Sequence, residues 1–494
     1  MEKNQWFLDH TKRIYLFCQM DRPLGDQTTL IDLADRDEMD NELFPLDAQK
    51  SWFTRTKSRR VLPFTPILQE FVTKGTLDFG GKFVFDIGSV NAGDLLFSVA
   101  LQVKLDHWFS DGILASIQSG SMIYTNPEGA WFYANSLGTI LIKKAEFIVG
   151  EQVIETIDGD FSNIFSKVYE NSNTQYGLAT DAYGTSSIPD LIAWDPSRVF
   201  PTTNGYITCV LPFSFQRVRL KNAFPLLSCK EKTVRIEVSL RSFSECVRIA
   251  NGSRPTCDAT PLGQTFDFIG GKTATSISNE PTFMDARLVT YGVLTDGKLR
   301  EALMKAPYER LFREVQKFEF NEPKKYVINS GGGIVRLQLP LEINGPLEEI
   351  IWVIRRKAVS NNNEWTNYSN TLESEYDPIN RPFKSMLKYA TLQVNGMPLI
   401  EADGDYFRRN LARSHEGGIV AYNSFIYGYT FSNKPGEHNP SGWINTSRTT
   451  DIRLRIDVSP PNGSEDLEFE VIVYCITMNW IRFQNGIANK IFSS

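Results

Sequence analysis

The sequence predicts an all-β protein made of two similar sheet domains in tandem, joined by a short helix and preceded by an arm. Three observations predict it. Apolar and polar residues alternate through many short runs, the period changes once past the middle, and motifs of the first half recur in order in the second.

Residues 1–55 read differently from the rest. The stretch DLADRDEMDNE (Asp32–Glu42) is acidic and poorly periodic, and is expected to be an arm lying on the body or on a neighbouring subunit. Its cluster Asp35, Asp37, Asp40 and Glu42 lacks the Gly and the closing Glu of a calcium-binding loop, so it reads as a solvated acidic face. Strands begin at Phe79, with Phe83, Phe85 and Ile87 alternating, and continue through Leu95–Leu105, Ile140–Val149, Gly205–Phe215, Thr233–Phe243 and Ala286–Leu294. Gly/Asn/Ser/Pro-rich loops separate them, the longest from Tyr169 to Pro201, a pattern of sandwiches and barrels.

At Pro307 the period changes. In APYERLFREVQKF, Tyr308, Leu311, Phe312 and Val315 fall at i, i+3, i+4 and i+7 behind a proline, which predicts a short amphipathic connecting helix. A flexible turn at Ser330–Gly333 leads into a second set of strands from Ile334. The expected division is therefore an arm at 1–55, a first domain at 56–300, helix and linker at 301–325, and a second domain at 326–494. Late in the second domain, Tyr427, Tyr429 and Phe431 alternate, break into a polar loop, and give way to Ile452, Leu454, Ile456 and Val458.

The duplication rests on three pairs. VGEQVIETIDGDF (Val149–Phe161) matches VNGMPLIEADGDY (Val394–Tyr406), WFYANS (Trp131–Ser136) loosely matches WTNYSN (Trp365–Asn370), and VRIEVSL (Val234–Leu240) matches IRLRIDV (Ile452–Val458). Their separation of roughly 220 to 250 residues is one domain length. Loop-rich sheet domains of that size are commonly jelly rolls, so the fold class is two tandem eight-stranded jelly rolls (a double jelly roll). Three such chains side by side have a pseudo-sixfold outline, which tiles a hexagonal lattice.

Composition excludes several functions. The net charge is −6 with no basic stripe, which argues against direct nucleic-acid binding. No window of about 18 apolar residues is present, and the charged start MEKNQWFLDHTKR does not look like a secretory leader, so neither a membrane span nor secretion is expected. Six cysteines without a CxxC pair read as reduced thiols. Without secretion, the sequons at Asn251, Asn367, Asn445 and Asn462 are expected to be chance.

The catalytic and cofactor motifs fail on inspection. His415-Glu416 is followed by Ile419, so no HExxH is formed, and His10, His107 and His438 are scattered. Gly271-Lys272-Thr273 lacks the earlier glycine of a P-loop, Phe266 standing there. Asp158/Asp160 and Asp403/Asp405 could serve as paired carboxylates, but their recurrence after the same strand favours a turn built by Asx side chains. Pro440, Ser441, Gly442, Asn445, Ser447 and Arg448 could bind a ligand. The reading preferred here is a structural loop in which Pro and Gly fix the path while Asn, Ser and Arg satisfy backbone groups, with Arg448 bridging to an acidic neighbour. No catalytic residue, metal or cofactor is expected.

Several stretches resemble the major capsid proteins of nucleocytoplasmic large DNA viruses. Pro440–Arg448 resembles that family's Pro-Ser-Gly-x-x-Asn-x-Ser-Arg loop; LPFSF (Leu211–Phe215), FPLLSC (Phe224–Cys229) and VRIEVSL resemble its Pro-Phe-x-Phe, Pro-Leu and strand sequence. Tyr291–Gln316, Leu347–Val353 with Trp365–Ser369, Leu392–Phe407 and Tyr474–Ser493 follow in family order, although Gly345-Pro346 stands where the family has His-Pro. The resemblance implies a double jelly-roll subunit forming homotrimeric capsomers of an icosahedral shell. It implies residence in the virion after assembly in host cytoplasm, contacts to minor capsid proteins, and an internal membrane underneath. Two alternatives stay open: a minor capsid or scaffold protein of the same architecture, and a carbohydrate-binding jelly-roll protein.

Overall fold

Alternation of the kind seen in VRIEVSL buries every second side chain against a facing sheet, and the computed structural model pairs such runs into four large antiparallel sheets, beside three two-stranded ones among the described residues. The structure describes residues 63–492, less 170–205, 218–221, 416–424, 460–466, most of 107–130 and of 250–281, and gaps of one to three residues elsewhere. The arm with its acidic cluster, the loop beyond Tyr169, Gly271-Lys272-Thr273, His10, His107, His438, and the sequons at Asn251 and Asn462 lie outside the described residues.

The first roll uses β1 (Phe64–Val72), β2 (Lys82–Ile87), β3 (Leu95–Leu105), β4 (Ile142–Val149), β5 (Gln152–Ile157), β6 (Ile207–Val210), β7 (Val234–Leu240) and β8 (Phe283–Thr295). Its sheets run β1-β8-β3-β6 and β2-β7-β4-β5. The second roll uses β9 (Tyr308–Phe320), β10 (Val335–Pro340), β11 (Pro346–Arg356), β12 (Leu387–Val394), β13 (Met397–Asp403), β14 (Ile426–Thr430), β15 (Ile452–Val458) and β16 (Leu467–Gln484). Here the sheets run β9-β16-β11-β14, with short strands at its margins, and β10-β15-β12-β13. The order of the first roll recurs strand for strand, which is the double jelly roll expected. Both rolls lie in one compact unit, Pro63–Ser494.

The repeat extends to irregularities. The β4/β5 ladder slips between Phe147 and Ile148, and the β12/β13 ladder slips at the matching place between Leu392 and Gln393. The matched VRIEVSL and IRLRIDV are β7 and β15, in the same sheet position of each roll. WFYANS and WTNYSN do not correspond: Trp131–Tyr133 is a strand paired with Val247–Ile249, whereas residues 365–370 are loop.

Two expectations are corrected. The stretch from Pro307 is strand β9, paired with β16 from Tyr308↔Phe483 to Phe320↔Val471, and the helix lies before it as α2 (Gly297–Lys305). Apolar residues occur on both faces of β9 because one face meets the second core and the other meets the first roll; that two-sided burial imitates a helical spacing. The Asp-Gly-Asp segments are also more than turns. Asp158 and Asp403 cap α1 (Gly159–Val168) and α3 (Gly404–Ser414), accepting the amides of Phe161 at 2.7 Å and Tyr406 at 2.8 Å. The glycines are steric: a Cβ on Gly159 would stand 2.5 Å from the Ile142 carbonyl oxygen, and on Gly404 2.9 Å from that of Leu387. The second Asp of each motif sits in the first helical turn, where the dipole favours an anion. β1 is the strand that sequence reading missed, since FTPILQEFV exposes nearly every residue and shows no alternation.

Candidate functional site

Among the described residues, the seam between the rolls gathers much of the buried charge. α1 of the first roll lies across the outer face of the β9-β16-β11 sheet, with Phe161 packed on the Tyr474 ring at 5.4 Å between centroids. Arg355 on β11 donates to Asp160 at 2.8 Å and to Glu470 at 2.7 Å. The Tyr474 hydroxyl donates to Asp158 at 3.0 Å, and Lys317 pairs with the same carboxylate at 2.5 Å. Asn163 donates to the Tyr368 hydroxyl at 3.3 Å, and the Tyr169 hydroxyl donates to Glu349 at 2.6 Å. His415 meets Glu349 from the second roll, also at 2.6 Å. Nearby, Arg217 pairs with Glu155 at 2.7 Å and reaches across to the Arg313 carbonyl, while Arg313 forks onto Glu348.

Burial governs the electrostatics of this seam. For Arg355, burial alone would weaken the charged form, but Asp160 and Glu470 more than offset it and raise its pKa. Burial pushes the phenols of Tyr169 and Tyr474 well above their ordinary value, and the carboxylates they face, Glu349 and Asp158, push them further. Burial likewise raises the Glu155 carboxyl, with Arg217 acting against it. These groups neutralise one another in fixed pairs, which makes the seam a bolt between two bodies. Burial pushes the Cys209 and Cys229 thiols up to about 12, so they stay protonated and inert.

The loop singled out in the sequence runs beside this sheet. Ser441 Oγ lies 2.6 Å from Ser432 Oγ and accepts the Lys434 amide at 2.9 Å. Gly442 passes so close to the backbone of Phe431 and Ser432 that no side chain fits. Asn445 pairs with Pro346 on β11, and its side chain accepts the Ser447 amide at 3.1 Å. Pro440 is half-buried; Ser447 and Arg448 are exposed, and Arg448 forms no ion pair among the described residues, against the expected bridge. Sequence reading passed over Thr446, which is buried and donates to the carbonyls of Ile343 at 2.9 Å and Gly345 at 2.6 Å. A hydroxyl inside a Ser/Thr-rich loop carries no pattern that distinguishes it. Of the sequons, Asn367 is buried and donates to Glu364 and Thr371, so it presents no acceptor for a glycan.

Two family profiles cover most of the chain. One, described as the major capsid protein N-terminus, matches residues 51–282; the other, described as large eukaryotic DNA virus major capsid protein, matches residues 302–489. The major capsid protein of Phaeocystis pouchetii virus is 22% identical over 542 residues, covering 90% of this chain and 95% of that one. That of Chrysochromulina ericina virus is 24% identical over 333 residues, covering 61% and 53%. Among solved structures, PBCV-1 VP54, fitted into a reconstruction of the virophage Sputnik, matches with a TM-score of 0.65 at 16% identity over 90% of this chain and 100% of that one. The Faustovirus major capsid protein gives 0.62 at 12% identity over 91% and 94%. These two structures share the fold described above.

Proposed function

We propose a function from one premise: the chain belongs to the large eukaryotic DNA virus major capsid protein family and is a structural protein of the virion shell. It works as a homotrimer, six rolls forming a pseudo-hexagonal capsomer that tiles the shell by burial of surface between like subunits, without catalytic chemistry. The observation that supports this most is the recurrence of one sheet order in both halves, which gives each chain two similar sectors. The roll boundary falls at the helix Gly297–Lys305. The loop from Pro440 to Arg448 is a brace on β11, held by Ser441, Gly442 and Asn445. Residues 1–55 meet minor capsid proteins or a membrane beneath the shell, assembly takes place in host cytoplasm, and the acidic chain makes no direct contact with nucleic acid.

Sedimentation of the recombinant chain tests the reading. A species near three times 56.1 kDa, about 168 kDa, with hexagonal outlines in negative stain, is the expected result. A monomer at all concentrations would overturn the capsomer.

A further inference from the structure

We infer that α3 of one copy seats on the outer face of the β1-β8-β3 sheet of a second copy, repeating between chains the seam that α1 makes within one. The inference rests on the trimer reading above and names its interface.

The two helices are equivalents in the duplication but not in burial. Phe161 and Tyr406 hold the same place, each donating its amide to the capping Asp, yet Phe161 is 0% exposed under Tyr474 while Tyr406 is 43% exposed. Asp160 is buried on Arg355, and its counterpart Asp405 is exposed. α1 is buried along most of its length; α3 buries only Gly404, Phe407 and Leu411. The first helix is covered within the chain, whereas none of the described residues covers the outer face of the second.

The receiving sheets show the same asymmetry. β16 is buried without interruption from Val471 to Asn479, on both faces, because α1 lies on its outside. In the first roll β8 alternates, and its outer face is open: Tyr291 is 38% exposed where the matching Ile476 is 3% exposed, and the adjoining Leu68 on β1 is 62% exposed. Registers make the match residue by residue. Both β3 and β11 slip by one residue, after Leu96 and after Leu347, which sets Val289 opposite Ala100 as Tyr474 lies opposite Ile351. The same registers set Lys104 opposite Asp285 as Arg355 lies opposite Glu470.

The chemistry of the seam carries over at its central pair. Arg355, which holds Asp160 inside the chain, corresponds to Lys104, and Asp160 corresponds to Asp405. An acid on the open helix thus faces a cation on the open sheet: Asp405 meets only Arg408 of its own helix, at 3.3 Å and still exposed, and Lys104 forms no ion pair among the described residues. Around that pair one intrachain carboxylate gives way to an apolar group, Glu348 on β11 becoming Phe97 on β3, already packed on Tyr291, while Glu349 becomes Ser98 and Glu470 keeps a carboxylate as Asp285. A head-to-tail contact of this kind is heterologous, and a heterologous contact between two-sector subunits makes a closed ring when the rotation closes.

Two sets of variants test it in the full chain. Asp405→Lys is expected to weaken the trimer about tenfold or more by setting two cations together, and adding Lys104→Asp is expected to restore most of the loss. In a Cys18→Ser, Cys257→Ser background, Tyr406→Cys with Val289→Cys, the counterparts of the Phe161–Tyr474 contact, treated with a short bis-maleimide, should give covalent dimers and trimers on denaturing gels; neither single variant should. A trimer by mass with neither rescue nor cross-linking overturns this interface while leaving the capsomer intact. A chain that is monomeric throughout overturns the capsomer and this interface together.

Discussion

Replacing Arg355 by Met removes the cation that two carboxylates share across the seam. Asp160 and Arg355 are 9% and 10% exposed at their side chains, and Glu470 is 21% exposed. Deleting one partner of a buried pair costs about 3–5 kcal/mol, because the charge left behind has neither water nor counter-ion. Glu470 recovers some hydration, and Asp160 keeps the α1 N-terminus, worth roughly 0.3–1 kcal/mol. The expected loss therefore lies near the lower end, about 3 kcal/mol, in urea unfolding of the Arg355→Met chain. Adding Asp160→Asn removes the stranded charge and should return more than half of it. A loss below about 1 kcal/mol, the size of an exposed ion pair, would refute the view of the seam as a buried bolt. So would a double variant no more stable than the single one.

Three further outcomes follow from the geometry. Gly159→Ala and Gly404→Ala should both destabilise by about 1–3 kcal/mol through overpacking, with Gly159→Ala the worse because its Cβ meets a carbonyl oxygen at 2.5 Å rather than 2.9 Å; equal thermal melts would contradict this. Thr446→Val should cost about 1–3 kcal/mol by stranding the buried Ile343 carbonyl and removing the bond to the half-buried Gly345 carbonyl, whereas Arg448→Ala should stay within about 0.5 kcal/mol; differential scanning calorimetry ranks them. The phenols of Tyr169 and Tyr474 have folded pKa values raised above their unfolded value near 10.0, so their contribution is whole below pH 10 and is lost as the pH rises. Each should lower stability by about 1.4 kcal/mol per pH unit above that point, and unfolding titrations from pH 9 to 12 that stay flat would rule it out.

The legible parts of the fold are those where one face of a strand meets water. β2, β7 and β15 alternate cleanly and were readable, as was the duplication, because Asp-Gly-Asp marks the same helix start twice. β9 was not, since a strand partly covered on both faces loses its period of two and Leu311, Phe312 and Val315 then mimic a helix. β1 failed for the opposite reason: its exposed Phe64, Leu68 and Val72 leave no polar face to contrast with an apolar one. In the loop, residue type alone drew attention to Ser441, Gly442 and Asn445, whereas the Thr446 hydroxyl carried no distinguishing pattern. The seam itself was invisible. Arg355, Asp160 and Tyr474 sit far apart in the chain, and no spacing rule brings a helix of one domain onto a sheet of another.

The seam's place inside a single polypeptide also bears on when it forms. Two rolls joined by a tether meet at the high effective concentration of an intramolecular reaction, before any copy encounters another. A contact made under those conditions can carry several buried charges whose mismatched alignment would be slow to correct in a bimolecular collision. The order of events is then written into the wiring: the charged joint closes during folding of each chain, and the surfaces still open afterwards are the ones left for neighbours.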